Sequence, residues 1–136
     1  MPRRVENVRG GVAFDPSYVI GSEKLWTEVA SDNILLAQPW LVQSDGSIRV
    51  KWPWLYRAQV EGDLKVVGQR MDASNGSAPP VILAQDINPA EFPDLEEGLA
   101  GSVSYVVFPS TGCWNVTATK GSERIQFITQ VMEINP

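Results

Sequence analysis

From Cys113 to Thr119 the chain alternates without a break. Trp114, Val116 and Ala118 fall on one side, and Cys113, Asn115, Thr117 and Thr119 on the other. A period of two marks an extended strand with one buried face. Lys120-Gly121 supplies a two-residue turn, and Ile125, Phe127 and Val131 take up the apolar phase on the strand that follows. Trp114 and Phe127 are therefore expected to share a dry interior between two layers of extended backbone.

The rest of the chain agrees. Ten prolines and eleven glycines punctuate its 136 residues, and helical periodicity persists nowhere. Strands are predicted over Val12 to Ile20, Lys24 to Val29, Ile34 to Val42 and Ser47 to Arg57, the last entered through Asp45-Gly46. Ile48, Val50 and Trp52 alternate there with Arg49 and Lys51, until Pro53 breaks the pattern. Further strands are predicted over Leu64 to Met71, Pro80 to Gln85, Ser102 to Phe108, Cys113 to Thr119 and Glu123 to Ile134. Residues 72–79 read as a polar loop. Asn88 to Gly98 reads as an acidic segment with at most one helical turn, capped by Asn88 with Pro89 at its first position. Pro39 and Pro53 are expected to guard a sheet edge, because proline donates no backbone hydrogen bond. Nine strands and no long helix predict an all-β fold, an immunoglobulin-like antiparallel β-sandwich of two sheets, with a closed barrel as the second choice. Residues 1–136 read as a single β-sandwich domain, with 1–10 as a flexible N-terminal tail.

Composition excludes several functions. The net charge of −5 disfavours nucleic acid and anionic membrane surfaces, despite Arg3, Arg4 and Arg9 near the start. Histidine is absent, so a Ser-His-Asp or Cys-His apparatus is impossible. The single cysteine, Cys113, permits no internal disulfide. No metal and no cofactor is expected, and no phosphate-cradling glycine loop opens a helix. No stretch approaches the ~20 apolar residues of a membrane helix. Met1-Pro-Arg-Arg-Val-Glu lacks the apolar run of a secretory signal, which suits either a cytoplasmic protein or a trimmed mature form.

Four motifs stand in order along the chain. They are Gly21-Ser-Glu-Lys-Leu-Trp26-Thr27; Val50-Lys51-Trp52-Pro53-Trp54; Gly62-Asp-Leu64-Lys-Val66-Val-Gly68-Gln-Arg70-Met71-Asp72 with Ala78-Pro79-Pro80; and Phe108-Pro109 through Gly112-Cys113-Trp114-Asn-Val116-Thr117. Across residues 21–132 this pattern resembles a family of uncharacterised bacterial cell-envelope proteins, many lipoprotein-like, with an immunoglobulin-like fold. Two stretches depart from it: the loop Ala73 to Ser77 is longer, and Asp86 to Leu99 lacks the family's Gly-rich segment. The resemblance implies a fold and an extracytoplasmic location, in the envelope or secreted. It supplies no catalytic residue.

Trp52, Trp54 and Tyr56 are the candidate ligand platform, since aromatic faces stack on sugar rings, with Arg57 and Arg70 as hydrogen-bond donors. Core packing is the competing reading of the same rings. Cys113 reads as an inert thiol. Asp86, Glu91, Asp94, Glu96 and Glu97 read as a solvated acidic loop without calcium-ligand spacing. A carboxylate-only hydrolase using Glu96 and Glu97 is the least favoured reading. Asn75-Gly-Ser77 and Asn115-Val-Thr117 match the glycosylation sequon, at about the frequency composition alone gives. The leading expectation is a non-enzymatic binding module for a protein partner or a second copy of itself. A carbohydrate- or small-ligand-binding domain built on Trp52, Trp54 and Tyr56 is the alternative.

Overall fold

The computed structural model describes residues 19–29, 34–71, 79–90 and 97–134. Among these, ten strands form two five-stranded sheets, and there is no α-helix. The front sheet runs β1 (Val19–Gly21), β2 (Leu25–Glu28), β4 (Ile48–Arg57), β8 (Leu99–Phe108), β7 (Ala84–Ala90). The back sheet runs β3 (Ile34–Ala37), β10 (Glu123–Glu133), β9 (Gly112–Lys120), β5 (Leu64–Arg70), β6 (Val81–Ile82). Every pairing is antiparallel except that of β3 with β10. The fold is thus the all-β two-sheet sandwich that the alternation predicts. The series β2-β4-β8-β7 against β10-β9-β5 reproduces the A-B-E-D and G-F-C orders of immunoglobulin domains.

The terminal hairpin forms as its pattern requires. Phe127 lies opposite Val116 and Ile125 opposite Ala118. Trp114 is 3% exposed and Phe127 5%, so both rings are interior. Trp52 links the two layers: its ring centroid lies 6.2 Å from Trp54, 6.3 Å from Phe108 and 6.2 Å from Phe127. Indole N–H groups are costly to bury without acceptors. Trp52 Nε1 donates to Thr27 Oγ1 at 2.7 Å, Trp54 Nε1 to Ser104 Oγ at 3.0 Å, and Trp114 Nε1 to the Ser110 carbonyl at 3.0 Å. Ser104 and Ser102 stand opposite Trp52 and Trp54 on β8, so a small hydroxyl residue faces each large ring. The pairing leaves room for each ring, and Ser104 also accepts the N–H of Trp54.

Pro53 does not guard an edge, because β4 lies in the middle of the front sheet. Arg57 donates its backbone N–H to Lys24 O, towards β2. Period two turns the nitrogen of Pro53 the same way, one residue beyond the last position paired with β2. A missing N–H therefore breaks no ladder bond there, and Thr27 Oγ1 donates to the Pro53 carbonyl at 2.7 Å. Pro39 does follow an edge strand: β3 ends at Ala37, and Pro39–Leu41 form a single 3-10 turn.

The single strand expected over Pro80 to Gln85 is two. The chain leaves the back sheet after β6 and enters the front sheet at β7. Leu83, fully buried, makes the crossing: its N–H donates to Val66 O, and its carbonyl accepts from Val107 N. Gly68 admits it, since a Cβ at that position would lie 2.5 Å from Leu83 Cδ1. Asn88 and Pro89 do not cap a helical turn; they pair with Val103 and Ser102 as part of β7. A register shift between Gln85 and Asn88, with Asp86 at φ 54°, bends this outer strand. Bulge, proline and charge together make it a poor template for another strand. Most of Val12 to Ile20, the loop 72–78 and residues 91–96 lie outside the described residues, as do Arg3, Arg4 and Arg9.

Candidate functional site

The aromatic group expected as a ligand platform lies in the core. Trp52 is 5% exposed and Trp54 0%, and Tyr56 is half-buried with its hydroxyl 2.6 Å from Ser102 Oγ. In this conformation neither indole offers a free face to a sugar. Arg57 and Arg70 do not converge with the rings. Arg57 points outward from β4, whereas Arg70 Nη1 donates to Ser110 Oγ at 3.1 Å and buttresses the corner after Phe108. Trp52 still lines a shallow cleft of about 220 Å³, with Val29, Leu35 and Val50 beside it and Glu28 and Lys51 at its rim. That is below the ~300 Å³ at which small-molecule pockets begin. A larger cleft of about 370 Å³ lies where the β4–β5 loop meets the β9–β10 turn. It is lined by Lys24, Gln59, Glu61 and Glu123, without an aromatic side chain.

The remaining sequence candidates are dispersed. Asp86 lies 3.4 Å from Arg49 Nη2 at the bulge of β7, and both side chains are well exposed. Glu97 is exposed; Glu91, Asp94 and Glu96 lie outside the described residues, as does Asn75. Among the described residues no three His, Cys, Asp or Glu side chains are grouped to hold a metal ion. Cys113 is half-buried on the face of β9 opposite Trp114. Asn115 shares that face and accepts a hydrogen bond from Gln126 Nε2 at 3.0 Å.

The open surface is the outer face of the back sheet. β10 directs Gln126, Ile128, Gln130 and Met132 outward, and β9 directs Cys113, Asn115 and Thr117. Their neighbours in register are Val67, Gln69 and Met71 on the β5 side, with Ile82 on β6, and Ile34 and Leu36 on β3. No charged residue stands among them. Ile82 is 76% exposed, Leu36 54%, Met71 52%, Ile128 49% and Met132 41%. Two apolar stripes thus flank a central row of amides and hydroxyls. Charge appears only at one end. Lys65 and Arg124 both pair with Thr119 in one row near the β9–β10 turn, whereas Glu133, at the other end of β10, falls in the inward phase beside Ala37.

Sequence reasoning missed these residues because it sought chemistry in the aromatics. A signal was present: Phe127-Ile128 and Val131-Met132 are apolar in both phases of one strand. A strand with one wet face has no need of the second residue of each pair.

No helix among the described residues is long and apolar enough to cross a membrane. A scan against protein-family models and a search of curated proteins both return no match.

Proposed function

We propose that this chain is a non-enzymatic binding module that docks a protein partner on the outer face of its back sheet. One observation carries the reading: five large apolar side chains stand 41–76% exposed on or beside a sheet face that holds no charge between its ends. Burying such a face against a complementary surface is favourable at about 25 cal/mol per Å² of apolar area. The rigid sandwich behind it limits the ordering cost of binding. An extracytoplasmic setting, in the bacterial envelope or secreted, is part of the proposal and rests on the four sequence motifs. The glycan-binding alternative draws less support, because its rings are core residues.

The test is saturable binding of envelope proteins from the encoding organism to immobilised chain. Ile128→Lys and Leu36→Lys are expected to abolish it, and Lys51→Glu, on the front sheet, to leave it unchanged. Equal binding by all three variants counts against the docking face. Binding to a glycan panel that Trp52→Phe removes would favour the alternative instead.

A further inference from the structure

We infer that the cleft between the β4–β5 loop and the β9–β10 turn binds a small zwitterion, a molecule with one ammonium and one carboxylate on a short chain. The inference does not rest on the docking reading. Three segments meet at the cleft: the β1–β2 turn with Lys24, the β4–β5 loop with Gln59, Val60 and Glu61, and the β9–β10 turn with Gly121, Ser122 and Glu123. Their backbones are tied together. Arg57 N–H donates to the Lys24 carbonyl at 3.2 Å, and Val60 N–H donates to the Arg57 carbonyl at 3.0 Å. Lys120 clamps the loop from below. Its Nζ donates to Val60 O at 2.9 Å and Gly62 O at 2.7 Å, and stands 4.6 Å from the Tyr56 ring centroid. Loop and turn touch through two glycines at positive φ. A Cβ on Gly62 would lie 2.8 Å from Gly121 N, and one on Gly121 would strike the Glu61 carbonyl. The walls are thus set before a ligand arrives, so binding orders little backbone.

The lining selects the occupant. At about 370 Å³ the cleft has room for a small molecule. Glu61 and Glu123 bring carboxylates, Lys24 an ammonium, and Gln59 and Ser122 uncharged donors and acceptors. Glu123 is half-buried and shares the inward phase of Ile125 and Phe127, which turns it away from the outer face of the back sheet. Among the described residues, none of these three charges lies within ion-pair distance of an opposite charge. Both signs therefore stand in one braced cleft without satisfying each other. A simple carboxylate would meet two like charges, and a simple ammonium would leave Lys24 unanswered. A sugar would find no ring to stack on, and a metal ion only two carboxylates beside an ammonium. A zwitterion answers both signs, with its ammonium on Glu61 and Glu123 and its carboxylate on Lys24. The lining is open to water, so each pair is weak, and dissociation constants on the order of 1–10 mM are expected.

Amide-resolved NMR titration of the whole chain tests this. Glycine and γ-aminobutyrate serve as zwitterions of short and long charge spacing, with n-butylamine and butyrate as single-charge controls. At least one zwitterion is expected to move the amides of Gln59, Glu61, Gly121 and Glu123 to saturation, and to bind at least ~5-fold tighter than either control. Glu123→Gln and Lys24→Gln should each weaken that binding by about 3-fold or more, whereas Lys51→Glu should match wild type. Raising salt from ~20 to ~500 mM should also weaken it. Peak dispersion in the same spectra confirms that each variant is folded.

No saturable shift with either zwitterion up to ~100 mM overturns the inference. Shifts confined to other segments of the chain do the same. So does n-butylamine binding as tightly as the zwitterions, because the cleft is then a cation site. Glu123→Gln and Lys24→Gln variants that both bind like wild type also overturn it.

Discussion

The two outer faces of the sandwich have been finished in different ways. On the front sheet, Val19, Trp26 and Leu55 point away from the main core yet are 0–1% exposed, and Leu99 packs against them as a second small cluster. Towards the other end of β4, Arg49 lies 3.6 Å from the centroid of the Tyr105 ring and pairs with Asp86. The back sheet has neither a second cluster nor a cation over a ring on its outer face among the described residues. Its apolar side chains stay open, and beyond Lys65 and Arg124 at one end its polar ones are uncharged. The contrast teaches that outward apolar residues have two fates: buried into a local core, where they stabilise the fold, or left available, where they add little to it.

That contrast sets the order of expected effects. Trp26→Ala removes the largest ring of the front cluster and should cost about 3–5 kcal/mol of stability in urea melts, since the site is closed and a cavity remains. Leu55→Ala should cost about 2–5 kcal/mol by the same mechanism. If either falls below ~1 kcal/mol, the cluster is no core and the contrast breaks. Arg49→Ala should cost about 1 kcal/mol or less, because its contacts lie at an exposed surface. Ile128→Ala should change stability by no more than ~0.5 kcal/mol, although it also removes an isoleucine side chain. The smallest effect belongs to Asp45. Its carboxyl is held below its ordinary pKa, first by the Ser47 hydroxyl at 2.6 Å and then by the Ser47 backbone N–H. The stability it adds is full above its unfolded pKa and fades as pH falls through the lowered folded value. Asp45→Asn should therefore lower stability slightly at neutral pH and flatten the acid limb, the two proteins converging as pH falls.

Trp26 sharpens the comparison further. Its Nε1 is buried with no hydrogen-bond partner among the described residues, whereas Trp54 Nε1 is bonded to Ser104. Trp26→Phe sheds an unsatisfied donor, while Trp54→Phe strands a serine hydroxyl. The first should cost at least ~1 kcal/mol less than the second.

What was legible in the sequence follows the same division. The alternation through Trp114, Val116 and Ala118 has one physical meaning, and the fold obeys it. Trp52 and Trp54 were ambiguous because rings suit a core and a platform equally. Ser102 and Ser104, in phase with Val106 and Phe108, were a clue that Trp54 had a buried acceptor, while Trp52 finds its own in Thr27. Pro53 misled because its tolerance depends on where β2 stops, a fact of tertiary pairing. The break at Leu83 was illegible for a related reason: the crossing is permitted by Gly68, fifteen residues earlier, on another strand. The open apolar face lay in the doubled apolar pairs of β10, which reading one phase of a strand at a time conceals.

Hydroxyl-radical footprinting with mass spectrometry compares the two faces in a single experiment. Met71, Met132, Leu36, Ile82 and Ile128 should be modified rapidly, while Trp26 and Leu55 stay as protected as Trp54 in the main core. Labelling of Trp26 at the rate of the back-face residues, or protection of Ile128 and Met132, would show that the faces do not differ and would remove the basis of the proposed docking surface.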